Sequence, residues 1–183
     1  REGEPLSRWS TYRIGGPATV LMPANAEDVA IAVRMAAEAG VPWFALGLGS
    51  NLLFPDAGLE ALVIRVGKGL DALRQDGEHW TLGAGLPAPL AAKRTAAAGW
   101  AGIHKMVGVP GSVGGGIVMN AGCHGAEWRD TVVSVLVMDA DGHDRVVSAA
   151  EAGFSYRRSR LGHVVVLETT CALTAEDPAH LEA

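Results

Sequence analysis

The sequence predicts a mixed α+β chain built as two lobes, and three observations support that prediction. The first third alternates strand-like and helix-like segments in the order β-α-β, and the remaining chain contains several runs of strand length, of which Val132–Met138 is strongly β-branched. The 24 glycines cluster between these segments instead of being scattered. We place the boundary near Gly67, so that residues 1–66 form the first lobe and residues 67–183 form a β-rich second lobe.

The first lobe is predicted to begin with a strand over Ala18–Met22. Asn25 is a favourable helix N-cap, the apolar residues after it recur at helical spacing, and Gly40 is typical of a helix end. Two further apolar runs, Val41–Leu46 and Leu62–Val66, have the length and composition of strands. Such alternation occurs in many α/β domains and implies no function by itself.

The second lobe is predicted to contain a strand at His79–Leu82 and a helix over Leu90–Ala98. Val132–Met138 is a β-branched strand, and the turn at Asp141-Gly142 returns the chain antiparallel to it. His163–Leu173 is a further long strand. The predicted result is a β-rich second lobe.

Composition excludes several functional classes. The formal net charge of −5 argues against a surface that mainly binds nucleic acid or an anionic membrane. Hydrophobic residues make up 49%, enough for a substantial core, yet no apolar run approaches the ~20 residues of a membrane span. Cys123 and Cys171 are too few for a disulfide scaffold and indicate reduced thiols in a cytoplasmic protein. The histidines lack metal-ligand spacing, so no metal site is predicted.

The first glycine segment is Gly47-Leu48-Gly49-Ser50-Asn51-Leu52-Leu53. Its glycines permit a sharp turn and close approach to a ligand, and its successive N–H groups could bind an anion. A Rossmann fingerprint is excluded because Leu52 stands where the third glycine belongs, and Lys68 does not have the context of a P-loop. An ordinary tight loop is the alternative.

The second glycine segment runs from Gly108 to Gly116 and continues into Met119-Asn120-Ala121-Gly122. Five of its first nine residues are glycine, which suits a backbone wrapped against a flat or phosphorylated ligand, with Ser112 and Asn120 as hydrogen-bonding side chains. The alternative is a flexible surface loop.

The third segment is Phe154-Ser155-Tyr156-Arg157-Arg158-Ser159-Arg160. A tyrosine hydroxyl beside a guanidinium fork can clamp a carboxylate or another anion. A solvated basic turn explains the same composition.

Together these segments resemble the UDP-N-acetylenolpyruvoylglucosamine reductases, flavoenzymes of peptidoglycan synthesis. The matching motifs are Thr11-Tyr12-Arg13-Ile14-Gly15-Gly16-Pro17-Ala18, Gly49-Ser50-Asn51-Leu52-Leu53, Pro110-Gly111-Ser112-Val113-Gly114-Gly115, Met119-Asn120-Ala121-Gly122 and Tyr156-Arg157-x-Ser159. The resemblance runs from about Leu6 to Leu173. Each motif alone is weakly specific for the family, whereas the five motifs together are specific.

The resemblance implies a two-lobed FAD-binding unit of the vanillyl-alcohol-oxidase type, with FAD held between the lobes. The positions implied to bind FAD are Gly47, Gly49, Ser50, Asn51, Leu52, Pro110, Gly111, Ser112, Gly114, Gly115, Asn120 and Gly122. Gly49 and Gly114 are expected to let the backbone approach the cofactor. The first glycine loop lacks the histidine through which covalent relatives tether FAD, so noncovalent binding is expected.

The implied reaction reduces UDP-N-acetylglucosamine enolpyruvate to UDP-N-acetylmuramate, with NADPH as co-substrate. Arg157 matches the family's catalytic cation, Tyr156 and Arg157 match substrate contacts, and His124 replaces a tyrosine that also contacts substrate. Three alternatives remain: a carbohydrate or alcohol oxidase on the same flavin fold, a flavin-binding module without turnover, and a nucleotide-binding module without flavin.

The family's proton-donating Ser or Cys and a late Glu lie in a C-terminal substrate domain. This chain begins at Arg1 and stops at Ala183, before such a domain. We therefore expect a fragment of a longer protein, with a shortened relative as the alternative. We expect it neither to bind nucleic acid nor to insert into membranes, and its oligomeric state is undetermined.

Overall fold

A four-stranded sheet forms the first part of the computed structural model, which describes residues 1–181. Its strands lie in the order β1-β2-β4-β3, where β2, β4 and β3 are parallel and β1 pairs antiparallel with β2. Their bounds are Glu4–Pro5 for β1, Pro17–Leu21 for β2, Trp43–Leu46 for β3 and Leu62–Arg65 for β4. The predicted β-α-β order is confirmed.

Helix α1, Ala26–Glu38, crosses from β2 to β3 and begins where the sequence predicted. The Asn25 side chain accepts a hydrogen bond of 2.9 Å from the Asp28 N–H, and the Asp28 carboxylate in turn accepts one of 2.8 Å from the Ala24 N–H. Its apolar stripe is buried, and Gly40 takes the left-handed conformation just past the end (φ +64°).

A five-stranded antiparallel sheet forms the second part, with the order β11-β10-β12-β6-β5. The bounds are Leu73–Asp76 for β5, His79–Gly83 for β6, Val132–Met138 for β10, Asp144–Ser148 for β11 and Val165–Ala172 for β12. Short strands β7, β8, β9 and β13 make two small ladders at Trp100–Ala101, Gly122–Cys123, Ala126–Glu127 and Thr174–Ala175. The strands predicted after Gly67 are thus present, and they form one sheet.

Three more α-helices accompany this sheet. They are α2 at Ala88–Ala97, α3 at Val113–Val118 and α4 at Ala149–Ala152, with 3₁₀ turns at Leu6–Arg8, His104–Gly108, Trp128–Asp130 and Pro178–His180. Among residues 1–181, no helix is long and apolar enough to cross a membrane.

Helix α3 lies in the second glycine segment, for which the sequence predicted a ligand-binding backbone but no helix. Ser112 caps the helix by accepting a hydrogen bond from the Gly115 N–H. Gly116 packs so tightly on buried Trp128 that a Cβ would lie 2.4 Å from the indole Nε1. Tertiary packing therefore outweighs the poor helix propensity of glycine.

One hydrophobic core runs through both parts. Val33 of α1 and Ile64 of β4 belong to the same buried cluster as Leu82 of β6 and Leu167 of β12. The sheets thus divide at the predicted boundary near Gly67, whereas the core does not. The partition into two domains stays a prediction.

Two further contacts, one aromatic and one polar, also join the parts. The His163 ring stacks on Trp43 with centroids 3.7 Å apart, and Arg34 donates a hydrogen bond of 3.2 Å to the Gly142 carbonyl. These contacts fix the space between the sheets, where the cavity lies.

Candidate functional site

A cavity of about 650 Å³ lies between the two sheets, at the carboxyl end of β3. Both glycine segments contribute to its wall, together with the third segment. Nearly all predicted cofactor positions line it: Gly47, Gly49, Ser50, Asn51, Leu52, Pro110, Gly111, Ser112, Gly114 and Gly115. Arg157 completes the wall.

The first glycine loop offers backbone donors to this cavity. Gly49 is left-handed (φ +68°), and its carbonyl accepts a hydrogen bond of 3.1 Å from the Thr11 N–H, which holds the loop in place. The N–H groups of Leu48, Gly49, Ser50 and Asn51 donate to no acceptor within residues 1–181. Unpaired donors in succession form a concave site for an anion.

The two glycine segments touch one another. Ser50 Oγ donates a hydrogen bond of 3.1 Å to the Pro110 carbonyl. A Cβ on Gly47 would lie 2.3 Å from the hydroxyl of Ser112, which is itself buried. Gly47 therefore lets the two segments touch without displacing the Ser112 hydroxyl, and both segments contribute to the floor of the cavity.

Gly49 and Gly114 line the cavity and also have a packing role within the protein, while their approach to the cofactor stays a prediction. A Cβ on Gly49 would lie 1.9 Å from the Trp9 carbonyl oxygen, and one on Gly114 would lie 2.9 Å from Ala84 Cβ. Both glycines are needed because protein atoms, not a ligand, occupy the space beside them. Replacement of either residue would disturb the fold first.

Gly115 is the glycine that is open toward the cavity. Outside the backbone of its own helix and its two chain neighbours, the nearest atom to a Cβ on Gly115 would be the Ser112 hydroxyl oxygen, at 3.5 Å. Gly115 is exposed and lines the wall, so added volume would enter the cavity itself.

The third segment forms a tight turn that presents Arg157. Ser155 and Arg158 exchange backbone hydrogen bonds of 2.9 and 3.1 Å, which leaves Tyr156 and Arg157 at the tip. Arg157 is left-handed (φ +54°), an uncommon conformation for a residue with a side chain. Its guanidinium carbon lies 5.6 Å from the Tyr156 ring centroid.

Asn120 anchors this turn from within the protein. Its amide nitrogen donates to the Ser155 carbonyl (2.9 Å) and to a Glu127 carboxylate oxygen (3.0 Å), and its amide oxygen accepts from the Arg129 N–H (3.0 Å). Asn120 is fully buried, so its side chain positions the turn that carries Arg157.

Four predicted site residues lie away from the cavity wall. Besides Asn120, they are Gly122, which packs on the Ala126 carbonyl, and the exposed residues His124 and Tyr156. Tyr156 is 79% exposed at the tip of its turn. The ligand contacts of these residues stay predictions.

The wall includes apolar residues that the motifs did not single out. They come from strand ends and the helix after the second glycine segment: Phe44, Ala45, Val66, Val118, Met119, Val164 and Val166. The hydrophobic pattern predicted the strands among these segments. It could not show which face of a strand meets the cavity, because that depends on how the sheets pack.

The wall carries very little charge. Arg157 is its only charged residue, and it contains neither histidine nor cysteine within the part of the chain that the structure describes. Apolar surface, a row of unpaired N–H groups and one guanidinium fit a large, flat group joined to a phosphate. A flavin dinucleotide has this composition.

Other chemically reactive groups do not form a second centre within the described residues. Asp139, Asp141 and His143 meet on an exposed turn, where one Asp139 oxygen already accepts two backbone hydrogen bonds of 2.9 Å. These hydrogen bonds lower the pKa of Asp139, that from His143 most strongly. Burial raises the pKa of the Cys171 thiol to about 12, so this thiol is inert.

Comparison with known proteins identifies similar chains. Residues 17–148 match the model of the FAD binding domain family. The UDP-N-acetylenolpyruvoylglucosamine reductase of Caulobacter sp. strain K31 is 40% identical over 184 residues, which cover 98% of this chain and 60% of the relative. That of Bacillus licheniformis is 41% identical over 161 residues, covering 87% of this chain and 53% of the relative. The chain thus spans about three fifths or less of the length of these curated relatives.

Solved structures show the same fold. The UDP-N-acetylenolpyruvylglucosamine reductase of Thermus caldophilus superposes with a TM-score of 0.88 at 31% identity, covering 98% of this chain and 64% of that one. Glucooligosaccharide oxidase of Acremonium strictum, whose FAD is described as 6-S-cysteinyl, 8α-N1-histidyl, gives a TM-score of 0.63 at 22% identity, over 85% and 35%. The predicted fold class and resemblance are confirmed.

Neighbouring glycines of α3 give a matched test of the cavity. Gly115→Ala should keep or raise the free energy of unfolding, because alanine favours a helix by about 0.5–1 kcal/mol, while its methyl group weakens FAD binding roughly tenfold. Gly116→Ala should instead lower stability by about 1–3 kcal/mol through its clash with Trp128.

Thermal unfolding without FAD and fluorescence titration with FAD measure the two effects separately. Equal FAD affinity in wild type and Gly115→Ala would remove Gly115 from the binding site.

Proposed function

Since the chain belongs to the FAD binding domain family, we propose that it is the FAD-binding part of a UDP-N-acetylenolpyruvoylglucosamine reductase. In this role it serves the reduction of UDP-N-acetylglucosamine enolpyruvate to UDP-N-acetylmuramate by NADPH, a cytoplasmic step of peptidoglycan synthesis. The observation that supports it most is the cavity that joins unpaired backbone donors to a single cation, Arg157.

FAD, when bound, supplies the hydride chemistry. The residues of this chain would hold it between the sheets: the N–H groups of Gly49, Ser50 and Asn51 would bind its diphosphate, and the apolar wall would exclude water around its ring system. A backbone donor keeps its position without side-chain ordering, so such a site is well suited to a permanent cofactor.

The same wall supports noncovalent binding. Covalent attachment in the Acremonium oxidase uses a cysteine and a histidine. Neither residue type lines the cavity among residues 1–181, and the cysteines Cys123 and Cys171 lie outside it. This also argues against the carbohydrate-oxidase alternative.

Arg157 is the residue that we assign to catalysis. Hydride addition to the enolpyruvyl group leaves negative charge on an enolate conjugated to a carboxylate, and a fixed cation stabilises that charge. The turn between Ser155 and Arg158, anchored by Asn120, fixes the backbone of Arg157 at the cavity wall. A preorganised guanidinium of this kind loses little entropy when the charge develops.

The cofactor prediction is tested by acid precipitation of the FAD-loaded protein. All of the yellow colour should remain in the supernatant, because no side chain on the wall described here can tether flavin. Colour retained in the washed pellet would contradict noncovalent binding.

The role of Arg157 is tested by separating the two half-reactions in the holoenzyme. Arg157→Gln should slow reoxidation of reduced flavin by the enolpyruvyl sugar by roughly 10²–10³-fold, the scale for loss of one preorganised stabilising group. Anaerobic reduction by NADPH, followed near 450 nm, should change little because no enolate forms in that step.

Arg158→Gln is the matched control, since Arg158 is the next residue but does not line the cavity. The assignment fails if Arg158→Gln impairs reoxidation and Arg157→Gln does not.

A further inference from the structure

A second concavity, of about 470 Å³, lies beside the first glycine loop and is separate from the cavity just described. It is lined by Arg8, Trp9, Ser10, Thr11, Arg13, Leu48 and Arg65. Among the described residues, Leu48 alone is common to both walls, so the loop separates the two spaces.

Three arginines line this concavity, and none of the wall residues that the structure describes is acidic. Arg13 and Arg65 form no ion pair within residues 1–181. Arg8 has only a long contact of 3.6 Å to Glu4, whose carboxylate lies outside the wall and also accepts a hydrogen bond from Trp9 Nε1. The chain carries a net charge of −5, so three arginines with a single acidic partner between them are a local departure from its overall charge.

Arg65 is held in this wall at an energetic cost. Its Nε is buried without a hydrogen-bond partner among residues 1–181, while Nη1 donates to the Val66 carbonyl. The guanidinium carbon lies 5.5 Å from the Trp9 ring centroid. Burial lowers the pKa of Arg65, because desolvation disfavours its charged form.

Arg13 is held there by the backbone. It adopts the left-handed conformation (φ +54°), and its N–H donates to the Ser10 carbonyl (3.0 Å) in a turn tied to the glycine loop through Thr11 N–H and Gly49 O (3.1 Å). A long basic side chain gains nothing from this conformation in a solvated turn.

We propose that this concavity is an anion subsite that binds a phosphate group through Arg8, Arg13 and Arg65. Guanidinium groups bind phosphate oxygens through two parallel hydrogen bonds, and the partly buried setting strengthens each of them. The phosphate could be free or part of a nucleotide. This inference does not depend on the reductase activity.

The test uses isothermal titration of the FAD-saturated chain at low ionic strength. Inorganic pyrophosphate, 2′,5′-ADP and UDP are the three probes. Saturable binding of at least one probe is expected, and it should weaken as salt is raised because the cations are partly exposed. Tighter binding of a nucleotide than of pyrophosphate would identify a nucleotide as the source of the phosphate; equal affinity would identify free phosphate.

Arg13→Gln and Arg8→Gln change exposed side chains and should each weaken binding roughly tenfold or more, as expected for loss of a charge-assisted hydrogen bond. Arg94→Gln and Arg145→Gln, at exposed positions outside the concavity, should leave it unchanged. Far-ultraviolet circular dichroism confirms that all four variants are folded.

Three outcomes would overturn the proposal. These are no binding of any probe to the flavin-free or the FAD-saturated chain, equal loss in the control variants, and binding to the flavin-free chain that disappears when FAD saturates it. The last result would assign the arginines to the FAD site.

Discussion

The close contact between Gly47 and Ser112 is the constraint on which the site depends. Because a Cβ at residue 47 would overlap the Ser112 hydroxyl, glycine at that position lets the end of β3 meet the start of α3 without displacing the hydroxyl that caps the helix. The hydrogen bond from Ser50 to the Pro110 carbonyl fixes the same contact. Two loops that are 60 residues apart in sequence thereby form one floor, and the cavity between the sheets depends on it.

A second chain of contacts leads from the core to Arg157. Trp128, fully buried, packs on Gly116 of α3 and begins the 3₁₀ turn that also contains Arg129. The Arg129 N–H donates to Asn120, whose amide donates to Ser155 at the base of the Arg157 turn. Helix packing and cation placement are therefore linked, and each contact limits movement of the guanidinium.

Much of the fold could be predicted from the residues themselves. Strand Val132–Met138 and the Asn25 cap of α1 are determined by local pattern, and both are as expected. Helix α3 could not be predicted, because its glycines are tolerated only through the packing of Gly116 on Trp128, a contact that no local pattern contains.

The sequence predicted which residues line the site better than it predicted what each of them contacts. Motif resemblance located the residues that line the cavity, but Asn120 and Gly114 show that position in a motif does not reveal what a residue touches. Asn120 bonds within the protein, and Gly114 makes room for Ala84. The apolar wall and the arginine concavity depend on how distant segments pack, so they became visible only in three dimensions.

The central claim is that unpaired N–H groups of the first glycine loop bind the diphosphate of FAD. Backbone donors cannot be removed by substituting a side chain, so the ligand is truncated instead. Fluorescence titration of the flavin-free chain with FAD and with riboflavin compares binding with and without the diphosphate and its adenosine. FAD should bind at least roughly 100-fold more tightly, as two charge-assisted hydrogen bonds would provide. Equal affinities for FAD and riboflavin would contradict the claim.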